Sequence, residues 1–127
     1  MQKLTEAELE ILQILWKQGA STVRTVNEAL NTQREVGYTT TLKMMQLMFE
    51  KGLLKRDESQ RTHTYTANIS EDVTQKNLVD KLMQSVFGGS AMKLVMQALG
   101  NKKTSQEEIK AIRQLLDQIE KEKGGNQ

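Results

Sequence analysis

Thr39, Thr40, Leu42, Lys43 and Gln46 lie at the start of the stretch YTTTLKMMQLMFEKGLLKRDESQRTHTYTA at 38–67, and together they make an unusual outer face for a helix. In 39–51 the apolar residues Met44, Met45 and Met48 fall at i, i+1 and i+4 with Thr41 one turn earlier, which marks one buried face of a 3.6-residue period. The opposite face then carries two hydroxyls, a bare leucine, an ammonium and an amide. Ordinary exposed helices are laced with Glu and Lys pairs instead. The mixture suits the major groove of a duplex: Thr and Gln bond base edges or phosphates, Leu42 presses on a thymine methyl, and Lys43 neutralises a phosphate. The bland alternative for Lys43 and Gln46 is simple solvation. Against it stand the next two runs, 53–57 and 63–67, which alternate, join through 58–62, and concentrate β-branched and aromatic residues in the second. The segment reads as a DNA-recognition helix followed by a basic two-stranded wing. His63, alternating with Tyr65, reads as a cross-strand packing residue rather than a pH switch.

Such a helix needs a scaffold, and glycine marks it out, since proline is absent. Thr5-x-x-Glu8 is a capping box opening a first helix, in which Leu9, Ile11, Leu12, Leu15 and Trp16 form a wide apolar stripe that Gly19 ends. Ser21 or Thr22 caps a second helix over 23–30, with Val23, Val26, Ala29 and Leu30 facing inward. After the wing, Ser70 caps a fourth helix that begins with Glu71 and Asp72 and keeps Val73, Leu78, Val79, Leu82, Met83 and Val86 at helical spacing up to Phe87. Ser90 caps a fifth over 91–99, and Ser105-x-x-Glu108 opens a sixth carrying Ile109, Ile112, Leu115, Leu116 and Ile119. Three such stripes exceed what one small independent core buries, so a partner surface is expected, and an identical copy is the simplest partner. The expected organisation is mainly α (α+β): a winged helix-turn-helix domain at 1–69, a helical dimerisation domain at 70–123 and a frayed tail at 124–127. The residues expected to pair the copies are Leu78, Leu82, Val86, Phe87, Leu94, Val95, Ile112, Leu115, Leu116 and Ile119.

Composition removes most other chemistries. The 127 residues include no Cys and one His, so disulfides, thiolate sites, a Cys nucleophile and multi-histidine metal sites are all excluded. No acid/base pair or nucleophile-base set is apparent, and the expectation is a non-enzyme without metal or cofactor. Met92 and Met96 stand one turn apart, which fits gap-filling better than copper(I) binding. The Gly88-Gly89-Ser90 run lacks the framework of a phosphate-binding loop and fits helix capping. No stretch spans a bilayer and the first residues do not form an export signal, so a cytoplasmic protein without membrane contact is expected. The net charge of +2 argues little; its distribution argues more, since 36–69 holds Lys43, Lys51, Lys55, Arg56 and Arg61 against Glu50, Asp57 and Glu58.

The stretches LTEAELEILQILWKQGASTVRTVNEAL at 4–30, YTTTLKMMQLMFEKGLLKR at 38–56 and VFGGSAMKLVMQAL at 86–99, with the closing acidic-basic helix, together resemble the penicillinase-repressor family, also called BlaI/MecI/CopY. The resemblance implies a winged-helix homodimer that binds a near-palindromic double-stranded operator and represses transcription. It places Thr39, Thr40, Leu42, Lys43 and Gln46 against the DNA from the recognition helix, and Arg61 and Lys55 from the wing. The wing charges have a structural alternative as edge-strand charges that discourage sheet pairing. Some members are released when a membrane sensor protease cuts an Asn-Phe bond in the fifth helix. Gln97 and Ala98 stand at the matching position, which weakens the case for such a protease as partner. Copper-responsive members end in paired Cys motifs, and without cysteine that mode of induction is not expected. Two other classes remain open from sequence: a winged-helix adaptor that has lost specific DNA binding, and a small-molecule-sensing regulator, for which no pocket signature is legible.

Overall fold

The computed structural model describes residues 3–100 and 103–124. Among these, the chain order is α1 (Glu6–Gln18), α2 (Val23–Asn31), α3 (Tyr38–Glu50), β1 (Leu54–Asp57), β2 (Thr64–Ala67), α4 (Glu71–Ser85), α5 (Ala91–Leu99) and α6 (Gln106–Gly124). Contacts divide the chain into two compact units, with the break between Asn77 and Leu78 inside α4. Within the first unit, α1, α2 and α3 surround a core of Ile11, Leu12, Leu15, Val23, Val26, Leu30, Met45 and Met48, closed by Leu53, Leu54 and Tyr65 from the hairpin. The helical periods read from sequence supply these positions.

Local signals start and stop the elements where the sequence places them, within a residue or two. The Thr5 hydroxyl accepts from the Glu8 amide at 3.1 Å while the Glu8 carboxylate accepts from the Thr5 amide at 2.9 Å, so both halves of the capping box form. Of the two candidates for α2, Thr22 is the cap, bonded to the Thr25 amide at 3.1 Å. Ser21 does something else: its backbone exchanges two hydrogen bonds with Tyr65, at 3.0 and 2.8 Å, and adds a bridge to the hairpin edge. Gly52, at φ +84°, turns the chain out of α3 toward β1, a conformation that costs a side-chain-bearing residue about 1 kcal/mol or more. The strands pair antiparallel, Leu54 with Ala67, Lys55 with Thr66, Arg56 with Tyr65 and Asp57 with Thr64. The expected cross-strand role of His63 is therefore corrected. β2 begins at Thr64, and His63 is an exposed residue of the connecting loop.

Two long-range contacts fasten the unit. The Trp16 indole N–H donates to the Ile69 carbonyl at 3.1 Å, tying α1 to the segment that leaves the hairpin. The Lys51 ammonium lies 3.0 Å from the Glu8 carboxylate, joining the end of α3 to the start of α1. In the second unit, Ser90 caps α5 through the Lys93 amide and Ser105 caps α6 through the Glu108 amide, both at 3.1 Å. The Gly89 amide is taken by the Met83 carbonyl at 2.9 Å, so the double glycine serves as a helix stop. α4 ends at Ser85, two residues before the sequence pattern does, and α6 runs through Gly124; the rest of the expected tail lies outside the described residues. Val73, on the apolar stripe of α4, is exposed.

Glu8 contributes to the acid sensitivity of the fold. Burial pushes its carboxyl up, but the Thr5 amide, the Lys51 ammonium and the Thr5 hydroxyl outweigh that and leave it below the usual Glu value. A carboxyl lowered by folding stabilises the protein above its unfolded pKa, and this stabilisation is lost as pH falls through the lowered value. Glu8→Gln should cost about 1–2 kcal/mol at neutral pH and flatten the acid limb of stability against pH. Urea unfolding from pH 7 to pH 3 measures both, and a variant whose acid limb parallels the parent's would remove Glu8 from the account.

Candidate nucleic-acid interface

The orientation of α3 is set by amides that the sequence pattern did not single out. Asn27 on α2 donates from its side-chain nitrogen to the Val36 carbonyl at 3.0 Å and to the Thr41 hydroxyl at 2.9 Å. Asn31 adds a second clasp, donating to the Asn27 and Val36 carbonyls at 2.7 and 2.9 Å and accepting from the Val36 amide at 3.1 Å. Thr41 is only 1% exposed, and its hydroxyl, also 3.4 Å from the Gly37 carbonyl, is fully used. α2, the turn and α3 are thereby one hydrogen-bonded object. Arg34 extends the clasp by gripping Glu10 of α1 in two-pronged fashion, at 2.7 and 3.3 Å, which draws the Glu10 carboxyl below its usual value.

With Thr41, Met45 and Met48 turned inward, α3 presents an outer arc with two flanks. Thr39, Thr40, Lys43 and the exposed Leu47 lie on the flank beside Thr5 and Glu8. Tyr38, Leu42 and Gln46 lie on the other, facing a groove whose far wall is Arg24 at the start of α2 and Arg61 and His63 from the wing loop. All the candidate contacts on α3 are exposed except Leu42, which is half-buried against the core and offers an edge rather than a whole side chain. Tyr38 is 51% exposed and, with Arg24 and His63, joins the polar surface without having been expected there. An exposed aromatic opening a helix was the available signal for Tyr38. For Arg24 and His63 there was none, because only folding brings their elements beside α3. Gly37 precedes α3 without a side-chain cap, so the first amides of the helix stay open to an oxygen ligand.

The charges divide into spent and free. Lys51 is bound to Glu8, and Arg56 is paired with Glu58 at 3.0 Å while lying 4.1 Å over the Phe49 ring. The Arg56 guanidinium is held above its usual range by the Tyr65 hydroxyl and by Glu58. Arg24 has a loose partner in Glu28 at 3.9 Å. Lys43, Lys55 and Arg61 make no ion pair among the described residues and are exposed, Lys55 on β1 and Arg61 in the wing loop. At the wing tip Asp57 accepts from the Ser59 amide at 2.9 Å; the Ser59 hydroxyl and amide keep its carboxyl low.

In the second unit, Leu82, Val86, Val95, Leu115, Leu116 and Ile119 are exposed and Leu78, Phe87, Leu94 and Ile112 are half-buried. Neither α5 nor α6 contains a buried residue. Among the described residues no helix is long and apolar enough to cross a membrane.

The family model described as penicillinase repressor matches residues 4–118. The chain belongs to that family. The penicillinase repressor of Staphylococcus aureus is 23% identical over 119 residues, spanning 94% of this chain and 94% of that protein. The transcriptional regulator BlaI of Mycobacterium tuberculosis is 28% identical over 120 residues, spanning 93% of this chain and 86% of that protein. A MarR family protein from Bacillus stearothermophilus shares the fold, with a TM-score of 0.56 at 17% identity over 97% of this chain and 77% of that one. The penicillinase-repressor family is one of transcriptional repressors rather than enzymes.

For this member of the family, the Asn27 clasp is testable without DNA. Thr41→Val leaves one Asn27 N–H without its acceptor, and Asn27→Ala strips two carbonyl or hydroxyl groups of a donor. Each should lower unfolding free energy by about 1–3 kcal/mol in urea titrations. Unshifted midpoints in both variants would show that the clasp contributes nothing.

Proposed function

We propose that two copies of this chain bind one near-palindromic operator as a cytoplasmic transcriptional repressor, each inserting the outer arc of α3 into a major groove while its wing follows the neighbouring backbone. What carries the reading is the arc itself: a helix whose free face holds hydroxyls, an amide and an unpaired lysine, flanked by unpaired Arg61 and Lys55, in a member of a repressor family. Thr39, Thr40, Gln46 and the edge of Leu42 meet base edges. Lys43, Lys55 and Arg61 meet phosphates, joined by the Tyr38 hydroxyl, the Arg24 guanidinium and the open amides at the start of α3.

The helical region, 70–123, pairs the copies. Leu82, Val86, Val95, Leu115, Leu116 and Ile119 are too many exposed apolar side chains for so short a stretch to leave in water. A second copy offers the same stripes in return. Two-fold pairing spaces the recognition helices by one or two duplex turns, roughly 34 Å or a multiple. Release by proteolysis has little support at Gln97 and Ala98, which lack the Asn-Phe pair of the protease-cut members, and repression requires no such step.

Three outcomes follow. Lys43→Ala and Arg61→Ala should each weaken specific and random duplex alike and reduce the slope of log affinity against log salt by about 0.9 per contact and subunit; unchanged slopes would strike both from the contact surface. Gln46→Ala should cost about 1–3 kcal/mol and relax selectivity at one base position, read from selection of bound genomic fragments. Leu115→Asp with Leu116→Asp should shift the sedimenting species to the single chain and weaken pairing by at least about a hundredfold. A parent chain that sediments as one subunit at micromolar concentration would overturn the pairing.

A further inference from the structure

Beside the base of the hairpin the first unit holds a pocket of about 320 Å³ that shares no lining residue with the two flanks of α3. Its apolar wall comes from Leu4, Leu53, Ile69 and Val73, and Gly52, Ser70, Thr74 and Asn77 complete the lining. No charged side chain lines it. Thr74 is 93% buried by exposure, at 7%, and its hydroxyl makes no hydrogen bond among the described residues, whereas Thr41, the other deeply buried threonine, has its hydroxyl fully bonded. Asn77, one turn further along the same side of α4, likewise keeps its amide uncommitted among the described residues. Among the described residues no fully buried side-chain nitrogen or oxygen lacks a partner, so the Thr74 hydroxyl reaches the surface of the pocket rather than being sealed in protein. Here that group opens into an apolar space beside a second free polar group, which is the composition of a small-molecule site.

We propose that this pocket binds a small uncharged organic ligand of one or two fused rings bearing a single hydroxyl or amide group. Its size sets the upper limit: a cavity of about 150 Å³ accommodates a benzene ring, so about twice that volume takes a bicyclic molecule. Neutrality follows from the lining, because an anion or cation would lose its hydration with no opposite charge to replace it. The ligand's ring lies against Leu4, Leu53, Ile69 and Val73, and its polar end exchanges hydrogen bonds with the Thr74 hydroxyl and the Asn77 amide. The site does not depend on DNA binding. An occupant would brace the hairpin base, Gly52 and Leu53, against the start of α4.

The test is a titration of the full chain, in whatever assembly it forms, with 2-naphthol, naphthalene and 2-naphthoate, following the methyl resonances of Leu4, Leu53, Ile69 and Val73 by NMR. The expected result is saturable shifts at these methyls with 2-naphthol, binding at least about tenfold weaker for the charged 2-naphthoate, and little shift at Leu94 or Leu116. Thr74→Val should weaken 2-naphthol roughly three- to tenfold and leave naphthalene unchanged. Asn77→Ala, on a half-buried residue, repeats the comparison should Thr74→Val fail to fold. The proposal is overturned if the four methyls stay silent up to the solubility of 2-naphthol, as they would if a second copy or the chain's own first residues filled the pocket. Equal binding of naphthol and naphthoate, or equal shifts at Leu94 and Leu116, overturns it too.

Discussion

The aim of the outer face of α3 depends on a partly buried polar contact, the Asn27 amide shared between the Val36 carbonyl and the Thr41 hydroxyl. An apolar contact between two helices tolerates sliding and rotation, because dispersion has no direction. Hydrogen bonds of 2.9 and 3.0 Å to two acceptors, one on the turn and one on the next helix, do not. Each buried group also makes its neighbour obligatory, since a lost partner costs more than the bond gains. The clasp therefore fixes the rotation of α3 about its own axis, and with it which side chains leave the protein surface. Asn31 and the Arg34–Glu10 pair act on the same turn and give it little room to relax.

Charge is distributed to the same end. The cations that hold the fold are bound to carboxylates or stacked on an aromatic ring, as with Lys51 on Glu8 and Arg56 on Glu58 and Phe49. Those on the outer arc and the wing, Lys43, Lys55 and Arg61, have no carboxylate to satisfy them among the described residues. An exposed ion pair is worth little to stability, so these cations cost the fold nothing by remaining unpaired and keep their full field for an anionic partner. A net charge of +2 conceals this arrangement, because it averages the two populations.

The two units answer the hydrophobic demand differently. The first closes a core with Ile11, Leu12, Val26, Met45 and Met48 almost wholly removed from water. In the second, α5 and α6 bury no residue at all, although their apolar spacing is as regular as that of α1. Periodicity reports that a helix has an apolar side; it does not report whether the same chain supplies the surface to cover it. The pocket beside α4 shows a related blindness, since Leu4, Leu53 and the stretch 69–74 are far apart in sequence and individually mark no site.

What the sequence settled by itself were the features encoded within a few residues. The Thr5–Glu8 capping box, the Ser90 and Ser105 caps, the glycine stops and the 3.6-residue stripes fix where each helix begins, ends and faces, because the groups involved are neighbours along the chain. Tertiary structure alone decided the long-range pairings: Asn27 with Thr41, Ser21 with Tyr65, Trp16 with Ile69, and Glu8 with Lys51. It also moved Leu42 half into the core and placed His63 on the wing loop facing α3 rather than across a strand. The physical reason is that a cap or a stripe is specified by local geometry, whereas the long-range partner of a polar group is whichever group the packing of distant segments brings within hydrogen-bonding distance.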